Sequence, residues 1–185
     1  TAPRAQVKGI RANKREPGAF ISQAIAECKQ ELRNVDPYVK AQAVRKLTYL
    51  QMMGYDVSWA SFAIVETMSQ ARFAHKRIGY LACSLVLDQD DQLVILIVNT
   101  MHKDLVSNNV LEVVAALQTA CKLINPDTIP AVLEDIVKLL EHREPIVRKK
   151  AVMALHRFHQ IDPESVSHLN DKVRRALCDN CLLYT

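Results

Sequence analysis

Apolar positions recur at helical spacing along most of the chain. Ile21, Ile25, Cys28 and Leu32 form one stripe, and Val132, Ile136, Leu139 and Leu140 form another. Steps of three and four residues place such side chains on one buried face of a helix. Polar punctuation separates the stripes. Asp36-Pro37, Glu144-Pro145 and Asp162-Pro163 each set an acidic residue ahead of a proline. Proline suits the first helical turn, whose N–H groups lack intrahelical acceptors, and the acid favours the positive end of the helix dipole. Gly54, the Asp88 to Asp91 cluster, Ser107-Asn108-Asn109 and Asn125-Pro126 interrupt the pattern. The reading is about ten helices in about five antiparallel pairs. Leu93 to Val98 is β-branched and fits a buried strand as well as a helix; its place among regularly spaced helices favours a buried inner helix.

The helices repeat. Asp36-Pro37-Tyr38-Val39-Lys40 leads into Ala43, Val44 and Leu47, and Glu144-Pro145-Ile146-Val147-Arg148 leads into Ala151, Val152 and Leu155. The offset is 108, three steps of 36. Intermediate steps fall on Gly79 and Ala115, so a small residue recurs in each copy. Small side chains let neighbouring helices approach closely. The third copy is less regular, with Thr119 at the Leu47 position. The step length, the proline and the basic residue after it point to HEAT/armadillo-type repeats. The predicted fold is all-α, a right-handed superhelical solenoid of HEAT/armadillo-like helix pairs. Residues 1–18 read as a basic helix and linker, 19–180 as the trunk, and 181–185 as a truncated or altered end. Cys181-Leu182-Leu183-Tyr184-Thr185 stops where another repeat is expected.

Composition agrees with this picture. Four Gly and seven Pro among 185 residues, with 49% hydrophobic and 24% charged residues, describe an ordered helical chain with ample core. No apolar run approaches the roughly 18 residues needed to span a bilayer, and Thr1 to Lys8 lacks the apolar stretch of a secretory signal. Five cysteines, odd in number, read as thiols in a reducing cytoplasm. The net charge of +4 admits an anionic partner without requiring one.

Catalytic chemistry finds no foothold. Cys178-Asp179-Asn180-Cys181 has CxxC spacing, but zinc needs two more ligands and only His168 is near in sequence. His156 and His159 share a helix face without a metalloprotease glutamate. Glycine-rich phosphate loops and nucleophile elbows are missing. Glu134, Asp135, Glu141 and Glu144 read as solvated helix surfaces and starts. The reading is a non-enzyme with no catalytic, cofactor or metal residues. Trp59 reads as a packing anchor locking one helix pair against the next, beside the packing positions Ala43, Gly79, Ala115 and Ala151.

Basic clusters are the surface feature that recurs: Lys40 with Arg45 and Lys46, Lys76 with Arg77, Arg148-Lys149-Lys150, and Arg174-Arg175. A row of such charge serves a membrane-phosphate or acidic-partner surface; alternatively, each cation pairs with an acidic neighbour and supports the stack. Lys8, Arg11, Lys14 and Arg15 lead into the first of these clusters. With Lys40, Arg45 and Lys46 they form a candidate basic edge.

Several long strings resemble the large chains of heterotetrameric clathrin-adaptor-type complexes, the adaptins. Lys46-Leu-Thr-Tyr-Leu-Gln-Met-Met-Gly-Tyr-Asp56 and Ser58-Trp59-Ala60 are similar to the delta chain of adaptor complex three. Lys76-Arg-Ile-Gly-Tyr-Leu-Ala82 is similar to a string found throughout the large chains. Leu93-Val-Ile-Leu-Ile-Val-Asn-Thr100, Lys103-Asp-Leu105, Ile129-Pro-Ala-Val-Leu133, Val147-Arg-Lys-Lys-Ala-Val-Met-Ala-Leu-His-Arg-Phe-His159 and Arg175-Ala-Leu-Cys-Asp179 resemble the epsilon chain of adaptor complex four. The longer strings favour epsilon. The resemblance runs from about residue 7 to 179, and the family's longer trunk, hinge and appendage have no counterpart here.

The resemblance implies a scaffold trunk in a membrane coat, acting in vesicle-mediated intracellular protein transport. Implied partners are small (sigma-type), medium (mu-type) and second large (beta-type) chains. Implied recruitment is peripheral, from the cytoplasm onto trans-Golgi network or endosomal membranes, through an Arf-family GTPase and anionic lipids, with the basic edge toward them. Two other readings stand beside it. A nuclear-transport or phosphatase-type HEAT scaffold shares the composition. A HEAT-like nucleic-acid module needs stacking aromatics on a basic face, and one Trp, five Tyr and four Phe in all count against it.

Overall fold

A computed structural model of the protein describes Gly9 and residues 17–178. Every regular element among them is helical. The chain divides into two compact units, Thr1–Leu87 and Asp88–Thr185. In the first, α1 (Pro17–Leu32) pairs with α2 (Pro37–Met52), and α3 (Ser61–Met68), entered through a 3-10 turn at Ser58–Ala60, pairs with α4 (Phe73–Val86). α2 also packs on α4. In the second, α5 (Val94–Leu105) pairs with α6 (Val110–Leu123), and α7 (Ile129–Lys138) pairs with α8 (Pro145–Ile161). There α5 packs on α7 and α6 on α8, so each hairpin stacks helix on helix against its neighbour. The short α9 (Pro163–Val166) and α10 (Asn170–Leu177) follow. The expected linker and basic helix at 1–18 lie outside the described residues, apart from Gly9, Pro17 and Gly18, and α1 begins at Pro17. The expected end at 181–185 lies outside them too.

Two of the three acid–proline pairs cap their helices through the acid's side chain, whereas Glu144 opens α8 without such a bond. The Asp36 carboxylate accepts from the Tyr38 N–H at 2.8 Å, with Pro37 opening α2. Asp162 does the same for the Glu164 N–H, and Asn109 for the Leu111 N–H. Each side chain satisfies a first-turn donor that has no intrahelical acceptor. α2 ends on Gly54, whose φ of 90° lies in the left-handed region. The Gly54 N–H bonds the Gln51 carbonyl at 2.9 Å, and the Tyr55 N–H bonds that of Leu50 at 3.1 Å. This is a Schellman closure, which favours glycine at that conformation. Two loops 36 residues apart bind each other: the Asn125 side chain donates to the Gln89 carbonyl at 2.9 Å, and Gln89 donates to the Lys122 carbonyl at 3.0 Å.

Val94 to Val98 is helical and opens α5, with Leu93 at its N-cap. It is buried on one side only. Val94 and Ile97 face the core, while Ile95 is 71% exposed.

The repeat has a slip. The second helices of successive hairpins start at Pro37, Phe73, Val110 and Pro145, giving steps of 36, 37 and 35 residues. The extra residue before α6 moves the small-residue position by one. Ala43, Gly79 and Ala151 are buried as expected of packing positions, but Ala115 is half-buried and Ala116 is fully buried in its place. The same shift puts Ala120, not Thr119, at the position of Leu47, Cys83 and Leu155. Burial depends on phase around the helix, and one residue turns the face by about 100°.

Candidate functional site

The basic edge read from sequence separates into residues of different kinds. Lys8, Arg11, Lys14 and Arg15 lie outside the described residues. Lys40, on the first turn of α2, reaches Glu66 of α3 with Nζ 2.7 Å from Oε1. Lys46, two turns on, points inward. It is only 3% exposed, and its Nζ donates to both Glu31 carboxylate oxygens, at 2.6 and 2.7 Å. Lys46 lies one turn after Ala43 and one turn before Leu50, both fully buried, so its stem is buried and its charge must be paired. As a member of an accessible cationic surface, Lys46 is corrected: it is an internal tie between α1 and α2. Arg45 points to solvent, with its guanidinium hydrogen-bonded to Gln42 one turn back.

The other clusters divide in the same way. Lys76 is buried and Arg77 exposed. Arg148 donates to the backbone carbonyls of His142 and Arg143 at 2.8 and 3.0 Å, and so fastens the loop ahead of α8. Arg174 and Arg175 are exposed on α10. Adjacent cations in sequence thus have opposite fates, because neighbours on a helix point about 100° apart.

The Lys46–Glu31 tie has a measurable consequence. Lys46→Ala is expected to cost about 1 kcal/mol in urea unfolding, less than the loss for a fully buried pair because Glu31 keeps contact with water. Lys46→Met fills the same space without charge and is expected to recover much of that loss when Glu31 is also changed to Gln. A single Lys46→Ala variant as stable as the parent would show that the pair contributes nothing.

Trp59 lies between the two hairpins of the first unit. The residue is 41% exposed, with Lys29 Nζ 4.8 Å from the ring centroid. It lies in the 3-10 turn ahead of α3. The contact is a cation–π pair between α1 of the first hairpin and the turn that opens the second.

The thiols and histidines show no built centre. Burial pushes the Cys28 thiol up to about 11 and the Cys83 thiol up to about 12, and it raises that of Cys121. These groups remain protonated and unreactive at neutral pH. Cys178 is exposed, and Asp179, Asn180 and Cys181 lie outside the described residues. His156 and His159 are exposed beside buried Leu155 and Phe158. Among the described residues no three His, Cys, Asp or Glu side chains are grouped so as to hold a metal ion. No described helix is long and apolar enough to cross a membrane.

One basic residue escaped the reading of the sequence. Arg72 stands alone between Ala71 and Phe73, yet the packing of α2 on α4 brings it to the same cleft as Arg45 and Arg77. A search for adjacent cations cannot find a cluster assembled from two helices 27 residues apart, from Arg45 to Arg72.

Comparison with known proteins agrees with this architecture. The model of the adaptin N terminal region matches residues 18–182. The chain is 52% identical over 135 residues to the AP-4 complex subunit epsilon of Arabidopsis thaliana, covering 73% of this chain and 14% of that protein. It is 41% identical over 173 residues to the AP-3 complex subunit delta-1 of Bos taurus, covering 94% and 14%. The AP-4 complex subunit epsilon-1 of Homo sapiens is 39% identical over 177 residues, covering 94% and 16%. The chain thus spans about a seventh of the length of these relatives. A structure described as a homology model of the full-length AP-3 complex in an intermediate open conformation superposes with a TM-score of 0.69 at 36% identity, over 78% of this chain and 26% of that one. The stacked helix hairpins, the match along residues 18–182 and the likeness to both epsilon and delta chains show that this chain belongs to the adaptin family.

Proposed function

We propose that this chain is the N-terminal scaffold of an adaptor-complex large subunit, acting in vesicle coat assembly and cargo sorting, with no catalysis of its own. The observation that carries the reading is the family match along residues 18–182, joined to two sets of relatives that are themselves adaptor-complex subunits. In this reading the hairpins offer packing surface to a small sigma-type chain. Medium mu-type and second large beta-type chains complete the assembly. The complex sits peripherally on trans-Golgi network or endosomal membranes. Within the basic edge, the cations Lys8, Arg11, Lys14 and Arg15 would meet anionic lipid or an Arf-family GTPase, whereas Lys40 and Lys46 are engaged with Glu66 and Glu31 and Arg45 lines a separate cleft.

The test is affinity capture of the tagged chain from extract of its own cells, with mass-spectrometric identification of what co-purifies. Small and medium adaptor chains are the expected result, and whether they belong to complex three or four decides between delta-like and epsilon-like identity. Capture of nuclear-transport or phosphatase subunits in their place would overturn the assignment. Recruitment is tested separately by sedimentation with phosphoinositide vesicles. The variant Lys8→Glu, Arg11→Glu, Lys14→Glu, Arg15→Glu should lose binding, since each cation near an anionic surface contributes about 1 kcal/mol. Equal sedimentation of both proteins at every salt concentration would remove the membrane role from this edge.

A further inference from the structure

In the first unit, α2 and α4 leave an open cleft of about 380 Å³ between them. We propose that this cleft is a docking site for an acidic peptide segment of a protein partner. The inference stands on the geometry of the cleft and does not depend on the adaptor reading.

Three guanidinium groups line it: Arg45 from α2, Arg72 at the N-cap of α4, and Arg77 one turn into α4. The described lining residues include no carboxylate. Arg45 is steadied by Gln42, while the Arg72 and Arg77 side chains have no ion-pair or hydrogen-bond partner among the described residues. Like charges held together without counter-charge raise the local potential and attract an anion.

A second observation points to a ligand independently. His75 also lines the cleft and is only 8% exposed, yet its ring has no hydrogen-bond partner among the described residues. Its one ring contact is the tilted neighbour Tyr38, 6.1 Å away between centroids. Buried polar groups in folded proteins nearly always have a partner, and this one faces the space where a ligand would supply it. The first turn of the 14-residue α4 has no bond from its N-cap side chain and no acidic residue, so the positive end of its helix dipole adds to the potential of the cleft.

The remaining lining distinguishes a peptide from a lipid surface. Phe73, Ala74, Ile78 and the ring of Tyr38 give the cleft an apolar wall. A plane of head groups would leave that wall uncovered, whereas a peptide carrying an apolar side chain beside its carboxylates would fill it. Arginine forks also match planar carboxylates in pairs of hydrogen bonds. The volume suits a few side chains rather than a whole folded element.

The experiment uses fluorescence anisotropy of the 185-residue chain with a labelled synthetic peptide of Glu and Asp flanking one Phe. A Gln/Asn version of the peptide is the comparison. The acidic peptide should bind, the neutral one should not, and rising salt should weaken binding. Arg72→Gln with Arg77→Gln should lower affinity by about tenfold for each guanidinium removed. Arg174→Gln with Arg175→Gln, the same charge change at exposed α10 positions, should leave affinity nearly unchanged. All four sites are exposed, and matching circular-dichroism melts will verify that the variants fold. Absence of binding, equal binding of the two peptides, or equal losses in the two variants would overturn the proposal. So would phosphatidylserine vesicles that bind through Arg72 and Arg77 while the peptide does not.

Discussion

Gly79→Ala is expected to destabilise the first unit by about 2 kcal/mol or more, the reverse of what the same change does on an exposed helix. A Cβ at this position would lie 2.2 Å from the Met68 nitrogen, 2.4 Å from its Cα and 2.8 Å from the Thr67 carbonyl carbon. All three are backbone atoms at the end of α3, so no rotamer change relieves the contact. α3 and α4 would have to separate, at an overpacking cost of about 3 kcal/mol. Alanine returns only about 1 kcal/mol through its better helix propensity. The measurement is urea unfolding followed both by circular dichroism and by the fluorescence of Trp59, the single tryptophan, which belongs to this unit. An unchanged or higher midpoint would show that the two helices do not approach as closely as the structure has them.

The second unit should be most sensitive at Phe158. This ring on α8 is fully buried, and it heads the largest enclosed side chains of the described chain. α8 packs against α6, α7 and α9, so a hole beneath it cannot close by the movement of one neighbour. Phe158→Ala is expected to cost about 3–5 kcal/mol, from lost burial and from the cavity that remains. Phe158→Leu keeps most of the volume and should cost about 1 kcal/mol. Urea unfolding by circular dichroism measures both. A loss under about 1 kcal/mol for the alanine variant would mean that the site collapses freely, contrary to a close-packed hairpin stack.

The contrast between these two residues shows what was legible. Phe158 stands on an apolar stripe with Val152 and Leu155, so its burial follows from spacing. Gly79 was legible as a small residue in a repeat, but the approach of Met68 that makes it irreplaceable comes from another helix. The acid–proline pairs announced their helices because capping is local: Asp36 bonds an N–H two residues away, and Asp162 does likewise. Ala115 misled because a constant step was assumed where the stretch from the start of α4 to the start of α6 is one residue longer than the stretch before it.

What the sequence determined by itself was the class of structure: helices, their starts and stops, their pairing into repeats, and through long matching strings the adaptin family. Those features depend on contacts within a few residues or on periodicity along one chain. Tertiary structure alone decided the meaning of each charge. Lys40 and Lys46 have a similar appearance to Arg45 in a linear reading, yet the first two meet Glu66 and Glu31 from flanking helices and the third faces a cleft. Arg72 joins that cleft from a separate helix, and Trp59 meets Lys29 of another helix. The physical reason is that a charge is neutralised or left available by whatever lies within a few ångströms of it, and helix packing chooses those neighbours from distant parts of the chain.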